Sequence, residues 1–337
     1  MDIYNKKTYY SPLYVVESVY LEEKRIKAYF EPKGWKKYVY KKGSPTLVYL
    51  DGKNVYQKKQ YFNLKCYIKN LSGLEKKYYM TDKKNLSLIL LPKYFMKSYN
   101  YNTSEDLTVF KNIFKRGKRW ILKPALGAEG IGITIVQNYK ELKNFFENDI
   151  EKINFGRIRE TNQWVVQEYL NQPMLYKNRK FHLRIYFLIV GKKIYYFKKY
   201  LIATALKEYI DDDYCNKDIH DSHYNEKSIR NKIYPDDFDK KIDIEEDVFN
   251  IFKDLKNNII LPLDCYPESK KCYEIFAADV MITKDGKVKV LEFNNSIGEP
   301  ATMDRKYPLF ENQLDLVLKY YNLVDDIDLE NNYFVEV

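Results

Sequence analysis

Residues 276–295 read Phe276-Ala-Ala-Asp279-Val-Met-Ile-Thr-Lys-Asp285-Gly286-Lys-Val-Lys-Val-Leu-Glu292-Phe-Asn294-Asn295. Asp-Gly between two apolar-rich runs is the strongest short hairpin signal, because a two-residue type I′ turn needs positive φ at both central positions. With Asp285 and Gly286 as the turn, Lys284 faces Lys287, and counting up the ladder sets Asp279 opposite Glu292. Side chains so opposed lie about 4.5–5.5 Å apart at Cβ, where like charges destabilise each other. Asn294 falls on the same face as Glu292 by the period of two. Two carboxylates and an amide oxygen converging on one spot suit a hard divalent cation, for which Mg²⁺ carried on nucleotide phosphates is the usual occupant. The hairpin alone is equally compatible with a solvent-facing ladder whose acids pair with lysines.

The chain has 337 residues, enough to bury a large core and to divide into two or three units. Its 45% hydrophobic and 31% charged residues are ordinary for a globular protein. No apolar run approaches the roughly 18–20 residues of a membrane span, so no membrane role is expected. The N-terminus, Met1-Asp-Ile-Tyr-Asn-Lys-Lys, has no apolar core of a secretory signal. Cys66, Cys215, Cys265 and Cys272 are scattered without CxxC pairing, and there are three histidines. That argues against zinc and points to a reducing, cytoplasmic setting. The net charge of +10, from 57 Lys+Arg against 47 Asp+Glu, implies an anionic partner: nucleic acid, a phosphorylated ligand or an acidic polypeptide. The 34 tyrosines and the lysines are spread diffusely.

Residues 1–80 alternate short aromatic-rich strands (14–19, 38–40, 47–50 before Asp51-Gly52, and 61–68) with turn signals and read as a small α/β unit. The run Leu88-Ile-Leu-Leu-Pro92 is strand-like. A short helix follows over 107–116, with Ser104 as its cap. Strands are expected at 120–124, 133–137 and 164–169, a helix at 139–148, and a hairpin of 181–190 with 193–200 around Gly191. Residues 209–246 lack periodicity and read as a long mobile loop. Residues 248–256 and 309–321 have helical spacing.

Two further stretches carry chemistry. In Lys123-Pro-Ala-Leu-Gly127-Ala-Glu-Gly130-Ile-Gly132-Ile, between two strands, glycines let backbone amides curl round an anion while Lys123 supplies charge. No GK[ST] closes the loop and a strand follows it, which excludes a Walker A loop and a Rossmann fingerprint; a plain hairpin loop is the simpler alternative. In Arg179-Lys180-Phe-His182-Leu-Arg184-Ile-Tyr186, the residues Lys180, His182, Arg184 and Tyr186 share one face. On a central strand such a basic face is costly unless it meets an anion; on an edge strand it would simply face water. The apolar run 187–190 favours the central strand. Anion loop, basic strand face and carboxylate cage together suit a nucleoside triphosphate with Mg²⁺.

Trp120-Ile-Leu-Lys-Pro with its glycine-rich loop, Gln167-Glu-Tyr-Leu170 followed by Pro173, Arg179-Lys180-Phe-His-Leu-Arg184, and Asp279 with Leu291-Glu-Phe-Asn-Asn-Ser296 resemble the tubulin–tyrosine ligase-like family of ATP-grasp ligases. The resemblance runs from about Lys83 to Asn295. It implies an α+β, ATP-grasp fold with ATP bound between two α+β lobes: a small N-terminal α/β domain (1–80), a central lobe with the glycine-rich loop (81–170) and a C-terminal lobe with the metal site (171–337). It further implies that adenine lies against Gln167, Glu168, Tyr169 and Leu170, with the phosphates under the glycine loop of Gly130 and Gly132. Lys123, Lys83 and Lys180 would contact the nucleotide, with His182 and Ser222 beside it. Arg184 would stabilise the γ-phosphate and an acyl-phosphate intermediate, and Asp279, Glu292 and Asn294 would hold Mg²⁺, Glu292 also being catalytic. The implied activity joins a free amino acid to an acidic polypeptide such as a tubulin C-terminal tail, with nucleic acid an unlikely partner.

Three positions depart from the family's pattern. His182 stands where Asp is usual, Leu201-Ile-Ala203-Thr-Ala replaces a segment carrying an arginine, and His220-Asp-Ser222-His223 replaces His-Leu-Thr-Asn. The phosphate and metal equipment is thus intact while the amino-acid end is altered. A ligase acting on a different protein or small molecule, and a non-catalytic pseudoenzyme or basic binding module, are the alternatives.

Overall fold

The computed structural model describes residues 13–17, 23–37, 47–50, 67–69, 79–114, 118–125, 127, 130–153, 163–222, 232–238, 242–259, 272–295 and 306–337. The expected strand at 38–40, most of that at 61–68, Asp51-Gly52, loop residues 128–129, His223 and Ser296 lie outside them. The described residues form an α+β structure with two sheets. The smaller is wholly antiparallel, in the order β5 (Ser98–Tyr101), β8 (Trp164–Glu168), β6 (Trp120–Pro124), β7 (Thr134–Val136). Helices α3 (Asp106–Ile113) and α4 (Tyr139–Asn144) contribute Leu107, Phe110 and Leu142 to its core, with Trp120, Leu122, Trp164 and Val166 from the strands.

The larger sheet is built on β10 (Arg179–Val190), which lies between β11 (Lys193–Thr204) and β13 (Cys272–Ile282). Beside β13 stands β14 (Val288–Asn294); β9 (Leu175–Tyr176), β12 (Lys232–Ile233) and β15 (Phe334–Glu336) complete the antiparallel part. Four strands from the first eighty residues, β1 (Leu13–Glu17), β2 (Lys36–Lys37), β3 (Leu47–Leu50) and β4 (Tyr67–Lys69), pair in parallel and join this sheet through β13.

Alternation along β10 explains both core and site. Its odd residues, Phe181 through Ile189, are buried in the cluster covered by helix α6 (Glu245–Asn258), whose Val248, Ile251, Phe252 and Leu255 recur at helical spacing. Its even residues begin basic, with Lys180, His182 and Arg184, and turn apolar at Tyr186, Leu188 and Val190. There they meet α7 (Leu309–Tyr320) and α1 (Glu23–Phe30) in the second cluster. β13 repeats the pattern: Tyr273, Ile275 and Ala277 face the same cluster, and the next residue on that face is Asp279. One face of the sheet therefore passes from core to polar site within a single pair of strands.

The hairpin differs in detail from its expected form. Gly286 (φ +85°) donates its N–H to the Thr283 carbonyl at 2.9 Å, and Thr283 N–H donates to Lys287 O at 2.9 Å. The loop thus has three residues, Lys284–Asp285–Gly286, with glycine in the left-handed position, rather than two. This shifts the register by one, so Val280 faces Val290. A bulge at Leu291 then restores it, and Asp279 faces Glu292 after all.

Three other expectations are corrected. Leu88-Ile-Leu-Leu-Pro92 is not a strand: α2 (Leu86–Ile89) and a 3₁₀ turn, Pro92–Tyr94, bury Leu86, Ile89 and Leu90 at helical spacing and leave Leu88 and Leu91 exposed. Short apolar runs fit either period. Ser104 does not cap α3 through its hydroxyl; the Asp106 carboxylate instead takes the N–H groups of Asn102 and Thr103. The described parts of 209–246 carry structure, namely α5 (Lys217–His220), β12 and a 3₁₀ turn at Pro235–Asp237.

Candidate active site

A cavity of about 240 Å³ opens between the two sheets. The small sheet contributes Ile121, Lys123, Thr134, Ile135 and Gln167, continuing into Glu168, Tyr169 and Leu170. Lys180, Asp279, Met281, Leu291 and Glu292 come from the large sheet. The segment between β11 and β12 closes one side with Tyr214, Cys215, Lys217, His220, Asp221 and Ser222. Adjacent residues of a regular strand point to opposite faces, yet Leu291 and Glu292 both face the cavity. The bulge makes this possible.

Lys123 and Lys180 are both buried in the cavity wall. Lys123 Nζ donates to Gln167 Oε1 (2.8 Å), and Lys180 Nζ donates to Tyr169 Oη (2.7 Å). Both acceptors are neutral. Burial lowers the Lys123 ammonium to about 8, against the pull of Glu292, and lowers Lys180 to about 7, helped by the nearby charge of Lys123. Tyr169 Oη lies 2.6 Å from His220 Nδ1, and His220 Nε2 lies 3.0 Å from the Asp213 carbonyl. Nε2 therefore carries the proton, and Tyr169 donates to Nδ1. Burial and Lys180 hold His220 down to about 4, so the ring is neutral at physiological pH.

At the other end lie the carboxylates. Arg184 grips Asp279 with two parallel bonds, Nε to Oδ1 (2.8 Å) and Nη2 to Oδ2 (2.9 Å), and Asp279 has no exposed surface. Asn294 Nδ2 donates to Asp279 Oδ2 (2.9 Å) and to Glu292 Oε1 (3.3 Å). Lys83 Nζ pairs with Glu292 Oε2 (2.9 Å) and donates to the carbonyl of Gly127 (2.7 Å), which ties the acid to the glycine-rich turn. The expected set of Asp279, Glu292, Asn294, Arg184 and Lys83 is thus one bonded cluster. His182, one register step along the basic face, has Nδ1 2.5 Å from Ser222 Oγ.

The glycine-rich turn is shaped by two left-handed residues, Gly130 (φ +68°) and Gly132 (φ +76°). A Cβ on Gly130 would come within 2.4 Å of Asp221 Oδ2, and one on Gly132 within 2.9 Å of Pro124 Cγ. Neither position accepts a side chain without displacement.

The donors offered to a metal are two carboxylates and one amide, all hard oxygen ligands, which fits Mg²⁺ better than zinc or copper. Among the described residues no group of three or more His, Cys, Asp or Glu could hold a metal, and the phosphate oxygens of a nucleotide would add to the three side chains as ligands. Asn294 presents its NH₂ to both acids, and its amide must turn to offer Oδ1.

Several lining residues were not foreseen. Ile121 and Met281 were within reach of the sequence, since each lies two residues from an expected site residue, Lys123 or Asp279, on the same strand face. Leu291 was hidden by the bulge. Tyr214, Cys215, Lys217, His220 and Asp221 sit in a segment with no periodic signal.

The family model described as the tubulin-tyrosine ligase family matches residues 52–326. A probable tubulin–tyrosine ligase of Schizosaccharomyces pombe is 25% identical over 234 residues, covering 59% of this chain and 57% of that protein. A probable alpha-tubulin polyglutamylase of Tetrahymena thermophila is 26% identical over 270 residues, covering 69% and 61%. A tubulin glycylase, 3D, of the same organism is 26% identical over 200 residues, 52% of this chain and 18% of that protein. The chain therefore spans less than two thirds of each of these relatives. No helix among the described residues is long and apolar enough to cross a membrane. With a family match over most of its length and the matching motifs gathered round one cavity, the chain belongs to the tubulin–tyrosine ligase family of the ATP-grasp superfamily.

Proposed function

We propose that this protein is an ATP-dependent carboxylate–amine ligase that adds an amino acid to an acidic polypeptide. The observation that carries the reading is the pair of buried lysines, Lys123 and Lys180, lining one cavity with neutral hydrogen-bond partners. Two lysines in a desolvated wall gain most from a polyanion, which keeps both of them charged. Ile121, Ile135, Met281 and Leu291 offer the same cavity apolar surface for a purine ring, and the elements on its two sides would act as the lobes that enclose the nucleotide.

In this scheme the acceptor carboxylate oxygen attacks the γ-phosphorus of ATP. The bond to the β–γ bridging oxygen breaks, ADP leaves, and an acyl phosphate forms. The amine of the amino acid then attacks the acyl carbon, inorganic phosphate departs, one proton is released, and an amide remains. Both steps spread negative charge over phosphoryl and acyl oxygens, so charge neutralisation and alignment dominate over any protein nucleophile. Lys123 and Lys180 bind the polyphosphate. Arg184, oriented by its two bonds to Asp279, would stabilise the charge of the transferring group. Asp279, Glu292 and Asn294 would hold Mg²⁺, which supplies further neutralisation of the phosphate oxygens when bound. Lys83 bridges Glu292 and the glycine-rich turn, which links the carboxylate cluster to the loop.

The charge of +10 favours an acidic acceptor, and the relatives named for tubulin modification make a tubulin tail the first candidate. On β11 the residues in register with Arg184 and His182 are Leu201 and Ala203. Neither reads a carboxylate, which favours an amino acid or acceptor unlike that of relatives with a cation there. The test is mass spectrometry of acidic tail peptides after incubation with ATP, Mg²⁺ and tyrosine, glutamate or glycine in turn. The reading expects a mass increment of one of these residues with matching ADP. Neither ADP formation nor a mass change with any acceptor would overturn it.

A further inference from the structure

We infer that Gln167 is a positioning residue whose side-chain carbonyl holds the Lys123 ammonium for the phosphates of the nucleotide, an inference that rests on the nucleotide reading above. β8 lies between β5 and β6, and Gln167 is in register with Ser98 on one side and Ile121 on the other. Lys123, two residues beyond Ile121, is its diagonal neighbour on the same face. Three bonds run in series: Lys123 Nζ to Gln167 Oε1 (2.8 Å), Gln167 Nε2 to Ser98 Oγ (3.0 Å), and Ser98 Oγ to the Met96 carbonyl (2.7 Å).

The direction of this chain is forced. A serine hydroxyl has one proton, and that of Ser98 goes to Met96 O. Toward Gln167 it can therefore only accept, which turns Nε2 to Ser98 and Oε1 to Lys123. The backbone of Met96 thus sets which end of a buried amide meets the lysine.

The choice of an amide has a consequence. A glutamate here would hold the ammonium as firmly but cancel its charge, whereas a neutral carbonyl orients Lys123 and leaves the charge for a ligand. The lowered Lys123 ammonium is consistent with a partner that is not a carboxylate. Gln167 thus acts on the phosphates through Lys123.

The experiment compares MgATP with adenosine, by calorimetric titration at about pH 7 and pH 9, in the wild type, Gln167→Glu and Ser98→Ala. Gln167→Glu should weaken MgATP by about tenfold or more, the size of one charge-assisted contact, and leave adenosine within about twofold. Its MgATP affinity should also fall less between the two pH values than the wild type's, since a carboxylate partner keeps Lys123 charged. Ser98→Ala, a mild change that frees the amide to turn, should weaken MgATP by a smaller factor and spare adenosine. Unchanged MgATP affinity in both variants, or a loss for adenosine equal to that for MgATP, would overturn the inference. A wild type that fails to bind MgATP would instead overturn the nucleotide reading beneath it.

Discussion

Nucleotide binding should take protons from solution, and the amount follows from the two buried lysines. With Lys123 at about 8 and Lys180 at about 7 in the empty cavity, the pair carries about 0.6 protons at pH 8. A bound polyphosphate favours the charged form of both and fills them to about two. Uptake should therefore be about 1.4 protons at pH 8, rising to about 1.9 at pH 9 and falling to about 0.6 at pH 7. The assay is calorimetric titration with MgATP in buffers of different ionisation enthalpy, where observed heat against buffer enthalpy has the proton number as its slope. Phosphate protons do not intrude in the upper range, because the last ionisation of a phosphate lies near pH 6. Lys180→Met should reduce the uptake at pH 8 to about 0.5 protons, the share of Lys123 alone. A slope of zero from pH 7 to 9, or one that Lys180→Met leaves unchanged, would refute the claim that these lysines meet the nucleotide's charge.

The same lysines set a pH dependence of the empty protein's stability. Their folded values lie below that of a free lysine, so the unfolded chain binds more protons between about pH 7 and 10. Their contribution to stability should rise with pH through that window, and urea titrations should show the rise reduced in Lys180→Met; equal slopes would contradict it. Asp279→Asn removes the partner of a largely buried guanidinium and should cost about 3–5 kcal/mol in urea denaturation. A loss below about 1 kcal/mol would place Arg184 in water instead. Gly130→Ala forces a left-handed alanine against Asp221 and should lower stability by about 1–2 kcal/mol, whereas an unchanged midpoint would mean the turn has another conformation.

What the sequence made legible follows from periodicity. The basic face of β10 and the odd face of β13 could be read two residues at a time, and the structure places Lys180, His182, Arg184 and Asp279 along that face. The pairing of Asp279 with Glu292 was reached through a turn one residue too short, and the bulge at Leu291 supplied the compensating step. Bulges and G1 turns alter register by one without changing composition, so a count along the ladder does not reveal them. The side chains that close the cavity, Tyr214 to Ser222, belong to a segment ordered by tertiary contacts: the bonds of Tyr209 to Asn171, of Arg119 to Asp211 and of His220 to Tyr169. No local pattern encodes such contacts. The partners of Lys123 and Lys180 were likewise out of reach, because hydrogen-bond direction depends on neighbours brought together from three strands.

On the proposed function the cavity takes ATP together with Mg²⁺ held by Asp279, Glu292 and Asn294. The direct test is the affinity for ATP with Mg²⁺ present and with it chelated, in the wild type and in Glu292→Gln. Wild-type binding should be about tenfold or more tighter with Mg²⁺, and in Glu292→Gln Mg²⁺ should no longer change the affinity. ATP binding that is undetectable, or equally tight with the metal removed, would contradict it.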